Sequence, residues 1–129
     1  MRYLLILVAT IYIGCSSQYK LFKTKLKDQN LYLESFGNLE ESAPKKAFII
    51  LSNGIFKGFA GCNDYNGTFT MNRDFLHFKL QDVGVKVCND SLKEGQFLKY
   101  LVKSTNIIIQ GKKVYFRNQK DENLLIFKK

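Results

Sequence analysis

Gly61-Cys62-Asn63-Asp64-Tyr65-Asn66-Gly67-Thr68-Phe69 is the stretch on which the fold turns. Gly61, Asn63, Asp64, Asn66 and Gly67 either tolerate left-handed backbone or hydrogen-bond their own main chain. Apolar runs stand on either side: Ile55-Phe56-Lys57-Gly58-Phe59-Ala60 before it and Gly67-Thr68-Phe69-Thr70 at its end. The stretch therefore predicts a tight corner between two strands. Cys62 would be pinned inside the corner and Tyr65 would pack.

Outward from the corner, the chain reads as strands joined by short turns. Ala47-Phe48-Ile49-Ile50-Leu51 and Ile55 to Ala60 are separated by Ser52-Asn53-Gly54. Asn-Gly between apolar runs predicts a hairpin, because both central residues of the turn need positive φ. Gly67 to Thr70 and Phe75 to Leu80 flank Met71-Asn72-Arg73-Asp74, a second hairpin. Thr105 to Ile109 and Lys113 to Arg117 flank Gln110-Gly111-Lys112, a third, and Leu124 to Phe127 reads as a last strand. On the other side, Leu31 to Phe36 alternates with Leu31, Leu33 and Ser35 on one face, and 38–46 is a polar loop holding the single Pro.

One helix interrupts the strands. Ser91-Leu92-Lys93-Glu94 fits a capping box, in which Ser91 accepts the Glu94 backbone N–H and Glu94 reaches back. Phe97, Leu98, Leu101 and Val102 then fall on one helical face. The fold class expected is α+β: a small, antiparallel, β-rich domain closed around one amphipathic helix. A chain of 129 residues with 46% apolar and 14% aromatic residues can bury one core. That length suits a single domain. No internal repeat or low-complexity tract interrupts it.

The N-terminus reads differently. Met1-Arg2 is cationic, and Tyr3 to Ile13 is uncharged and apolar. Eleven residues of helix span about 17 Å, too short for a bilayer core of about 30 Å. A short apolar run behind a positive end is the pattern of a signal peptide. Tyr12-Ile13-Gly14-Cys15 resembles the lipobox of bacterial lipoproteins. That resemblance implies cleavage before Cys15, acylation of its thiol and of the new N-terminus, and a membrane anchor. Ser16 after it resembles a sorting signal for the outer membrane on its periplasmic side. Residues 1–14 are then the signal peptide, 15–30 a tether with Lys20, Lys23, Lys25 and Lys27, and 31–129 the domain.

Residues 61–69 also resemble the Gly-Cys-Asn-x-aromatic-x-Gly signature of the META domain, the HslJ-like family, carried here by Gly61, Cys62, Asn63, Tyr65 and Gly67. In the family the signature is followed by a hairpin, a Cys, then a helix with Glu, an aromatic-Leu pair and a further Leu. Cys88, Glu94, Phe97, Leu98 and Leu101 stand at those places. Leu31 stands where the family has Trp, and Val85-Lys86-Val87-Cys88 where Thr-x-Met-Ala-Cys is common. The resemblance implies an exported or envelope protein, with members linked to stress tolerance, and no established enzymatic activity.

The chemistry-bearing residues are few. Cys62 and Cys88 would meet an oxidising compartment once exported, which favours a disulfide; two unpaired buried thiols are the alternative. His77 reads as a surface strand residue. A small exported thiol hydrolase using Cys62 or Cys88 would need His77 in reach, an orienting group and an oxyanion hole. A Cys/Cys/His zinc site lacks a fourth ligand. No catalytic residue, metal site or cofactor is therefore expected, and a ligand-binding module is the remaining reading beside an envelope contact role. Lys+Arg 20 against Asp+Glu 11 gives +9. Lys45-Lys46, Lys112-Lys113 and Lys128-Lys129 read as solvated surface or as a patch for anionic lipids and other acidic partners, with nucleic acid excluded by export.

Overall fold

Among the described residues, alternating apolar positions build eight strands, and short turns order them into one antiparallel sheet. The computed structural model describes residues 25–37, 43–72, 75–89 and 91–129. The elements are β1 (Asn30–Phe36), β2 (Phe48–Ser52), β3 (Ile55–Phe59), β4 (Asp64–Asn72), β5 (Phe75–Val83), α1 (Ser91–Lys103), β6 (Asn106–Gln110), β7 (Lys113–Arg117) and β8 (Asn123–Lys128). The strand order is β5-β4-β3-β2-β1-β8-β7-β6, so the first and last strands lie side by side in its middle. Asn53 (φ 48°) and Gly54 (φ 78°) both take positive φ between β2 and β3. This is the two-residue turn that Asn-Gly encodes. Of the central pair at the β6–β7 turn, Gly111 alone is positive, at φ 61°. That is the pattern of a type II′ turn.

The sheet curls until its two edge strands meet. Leu76 at the start of β5 donates its N–H to the Thr105 carbonyl just before β6, at 2.8 Å. Across the interior, Phe78 of β5 stacks on Phe116 of β7 with centroids 5.7 Å apart and planes at 11°. Phe116 touches Phe127, Phe127 meets Phe97 on α1, and Phe97 meets Tyr65 edge-on. A chain of rings thus links the curled sheet to the helix that packs inside the curl, against β5 and β8. Aromatic pairs of this geometry add about 0.5–1.5 kcal/mol each beyond area burial.

Four local expectations are corrected. Leu31 and Leu33 share the inward face of β1 as expected, but Phe36 and not Ser35 continues it, because the register with β8 shifts between Leu33 and Ser35 and flips the alternation. The second hairpin is longer than its apolar core suggests: Met71 and Asn72 belong to β4, and Asn72 pairs with Phe75. Arg73 and Asp74 lie outside the described residues. Val102 is exposed at 41% rather than part of the helix's buried stripe. Finally, the folded body begins before residue 31. Leu26 is wholly buried in the core, Lys27 bridges to Leu51, and Asp28 N–H donates to the Leu51 carbonyl. One leucine among lysines leaves no periodicity to read, so 25–30 looks like tether while serving as domain. Residues 1–24, including Cys15, Lys20 and Lys23, lie outside the described residues.

Candidate functional site: the 60–63 corner and its buried carboxylate

Four residues, Ala60 to Asn63, carry the chain from β3 to β4, where Phe59 pairs with Asp64. Only Gly61 of the turn-forming residues has positive φ, at 106°, and a Cβ there would run into the Pro44 ring. Asp64, Tyr65, Asn66 and Gly67 are not corner residues. They form the first half of β4, opposite Phe59, Gly58, Lys57 and Phe56 in turn. Gly67 is needed there for space, since a Cβ would run into the Phe56 ring and the Lys79 carbonyl. Its role in the motif is a close approach of strands, which a reading by turn propensity misassigns.

The corner is held by a carboxylate from the helix. Glu94 is 8% exposed and sits on the same helical stripe as Phe97, Leu98 and Leu101. Its Oε2 accepts the Cys62 N–H at 3.1 Å and the Asn63 N–H at 2.6 Å. Its Oε1 accepts the Asn63 side-chain amide at 2.8 Å. Both oxygens are thus spent on the corner. This long-range role is one the capping-box reading of Glu94 did not foresee, and the Ser91 side chain of that box lies outside the described residues. Charge-assisted bonds to backbone N–H groups are among the stronger ones available. A polar residue inside an apolar stripe, three residues before Phe97 and seven before Leu101, was the visible trace of this role.

Asn63 passes the tie onward. Its Oδ1 accepts the Lys86 N–H at 2.8 Å and its Nδ2 donates to the Lys86 carbonyl at 3.0 Å. One residue's N–H and C=O facing the same partner is the arrangement of an extended strand, so Asn63 stands in for a neighbouring strand. Beside it, Cys62 and Cys88 form a disulfide with their α-carbons 6.0 Å apart. Corner, 84–88 segment and helix are thereby fastened at one place. Tyr65 completes the support from β4. Its hydroxyl donates to the Phe48 carbonyl at 2.9 Å, and burial raises its pKa well above 10.0. An acid whose folded pKa is raised favours folding fully below the unfolded value, and that contribution is lost as pH climbs from there toward the folded value. Alkaline unfolding beginning near pH 10 is therefore expected, and Tyr65→Phe should be less sensitive there; melting curves between pH 8 and 11 test this.

The remaining candidates sit apart from this knot. His77 is exposed on β5, opposite Thr70. Among the described residues no three His, Cys, Asp or Glu side chains are grouped to hold a metal ion. Lys45 and Lys46 are exposed next to Pro44, whereas Lys113 of β7 pairs with Lys128 of β8 on another part of the sheet. A cleft of about 310 Å³ opens between the end of α1 and the β7–β8 turn, lined in part by Tyr100, Lys103, Asn118, Glu122 and Leu124. Asn118 already donates to Glu122 at 2.9 Å.

Solved structures share this architecture. A protein from Burkholderia xenovorans superimposes with a TM-score of 0.67 at 16% identity, covering 92% of this chain and 93% of that one. A DUF4847 family protein from Bacteroides vulgatus gives 0.65 at 9% identity, over 82% and 95% of the two chains. At these identities the likeness is one of fold. No curated protein matches the sequence. The family model of the META domain matches residues 24–129, the whole of the described fold, Leu26 included. The chain belongs to the META domain family.

Proposed function

We propose that this chain is a lipid-anchored cell-envelope protein whose META domain is a non-enzymatic contact module, held at the periplasmic side of the outer membrane and serving envelope integrity or stress tolerance. The observation that carries the reading is the Cys62–Cys88 disulfide. Such bonds persist outside the reducing cytoplasm. The export-type N-terminus ending in Gly14-Cys15 supports the same compartment. Cys62, Cys88 and Glu94 are engaged in holding the domain's shape: each sulfur bonds the other, and both Glu94 oxygens accept corner N–H groups.

The test is the chemistry of Cys15. Mass spectrometry of the N-terminal peptide from the mature protein should show acyl chains on Cys15. Globomycin should leave residues 1–14 attached, and Cys15→Ser should move the protein to the soluble fraction. Two or more acyl chains are needed for stable anchoring, so a triacylated residue should resist a salt wash. A soluble, unacylated chain overturns the anchor. The thiol-hydrolase alternative is read by alkylation. Cys62 and Cys88 should react only after reductant, and labelling of the unreduced protein would revive that alternative.

A further inference from the structure

Four lysines distant in sequence converge where the chain enters the fold. The β7–β8 register sets Lys113 directly opposite Lys128. The Lys129 N–H donates to the Lys112 carbonyl at 2.9 Å, which places the second pair beside the first. On the other side of β8, Lys128 pairs with Tyr32 of β1. Tyr32, Lys128 and Lys113 thus form one row across three strands, and all three are exposed, Tyr32 at 51%. Like charges placed opposite each other on a sheet oppose folding. Among the described residues Glu34 answers them, its carboxylate 3.7 Å from the Lys113 ammonium. That pair is largely exposed and contributes little.

The position of this row indicates what it faces. β8 runs toward the start of β1, so Lys128 and Lys129 lie at the end of the fold where Lys25 and Lys27 enter it. Cys15 precedes Lys25 by ten residues. Ten residues reach at most about 35 Å when fully extended. With Cys15 in a bilayer, the headgroup layer is the anionic surface within that reach. A tyrosine beside lysines suits it, because an amphipathic ring settles at the interface while ammonium groups contact phosphates.

We propose that the Tyr32–Lys128–Lys113 row, with Lys112 and Lys129, docks the domain on anionic phospholipid headgroups. The inference rests on the anchored reading for the choice of surface. Each lysine near such a surface strengthens partition roughly fivefold, so the group acts as a latch added to the anchor.

Lysine acetylation footprinting on the full chain tests it, in vesicles of phosphatidylcholine alone and of phosphatidylcholine with phosphatidylglycerol. Lys112, Lys113, Lys128 and Lys129 should label several-fold more slowly in the anionic vesicles, while Lys45, Lys46 and Lys99 label equally in both. Salt should abolish the difference, since the screening length shrinks to about 3 Å at 1 M. Equal labelling in both vesicles, with the chain still sedimenting with them, overturns the latch and leaves the anchor standing. A chain that stays in the supernatant with neutral vesicles fails the anchor, and protection by anionic vesicles then still reads the latch. Equal protection by duplex DNA would overturn the lipid assignment. Lys112→Gln and Lys128→Gln together should cut binding to the anionic vesicles by an order of magnitude or more while leaving the melting temperature unlowered, as relief of like-charge repulsion requires.

Discussion

Glu94→Ala is expected to lose about 3–5 kcal/mol of folding stability, read as the shift in urea midpoint of the oxidised protein. Removing the carboxylate strands the N–H groups of Cys62 and Asn63 and the Asn63 amide in a buried place. A buried donor left without a partner costs about 1–3 kcal/mol, and bonds to charged acceptors lie at the upper end. The three losses share one site, so they add incompletely. Glu94→Gln keeps the volume and one acceptor oxygen, and should lose about 2 kcal/mol. A loss below about 1 kcal/mol for the alanine variant would mean that water takes the carboxylate's place and that the knot is ornamental.

The identity of this carboxylate shows where sequence reading reaches its limit. Local patterns were legible: the Asn53-Gly54 turn, the Gly111 hairpin, the helix with Phe97, Leu98 and Leu101 inward, and the last strand, read over 124–127 and found over 123–128. Each depends on residues within a few positions of one another. What failed depends on partners far along the chain. Gly67 looks like a turn former until the Phe56 ring is placed against it. Leu26 looks like part of a spacer until Lys27 bridges to Leu51 and Leu26 is carried into the core. Phe36 faces inward only because β8 imposes a bulge on β1. Glu94 and Asn63 are separated by 31 residues, and a helix-cap pattern beside Glu94 offered a nearer use for its oxygens. At the corner itself, the motif residues were found, but the division of labour among them was not.

Reduction of Cys62–Cys88, or its replacement by alanine at both positions, should lower stability by about 3.5 kcal/mol on the chain-entropy account for a loop of this length. The bond closes a sequence separation of 26. Urea denaturation with and without reductant measures the loss. The disulfide and the Glu94 bonds fasten the same corner, since Cys62 contributes its sulfur to one and its N–H to the other. Glu94→Ala in the reduced protein should therefore cost less than in the oxidised protein, because a corner already loosened lets its N–H groups reach water. Equal costs in the two states would show that the sulfur bridge and the carboxylate act on independent parts of the structure.

The meeting of β5 and β6 has a consequence for life at high density. An open sheet of eight strands would present two ragged borders of unpaired amides, each a template on which a neighbouring copy could add its own strand and begin a fibre. Here the Leu76 amide is already answered by Thr105 from the opposite border. Wherever many copies are confined together, that junction removes one foothold for self-templating.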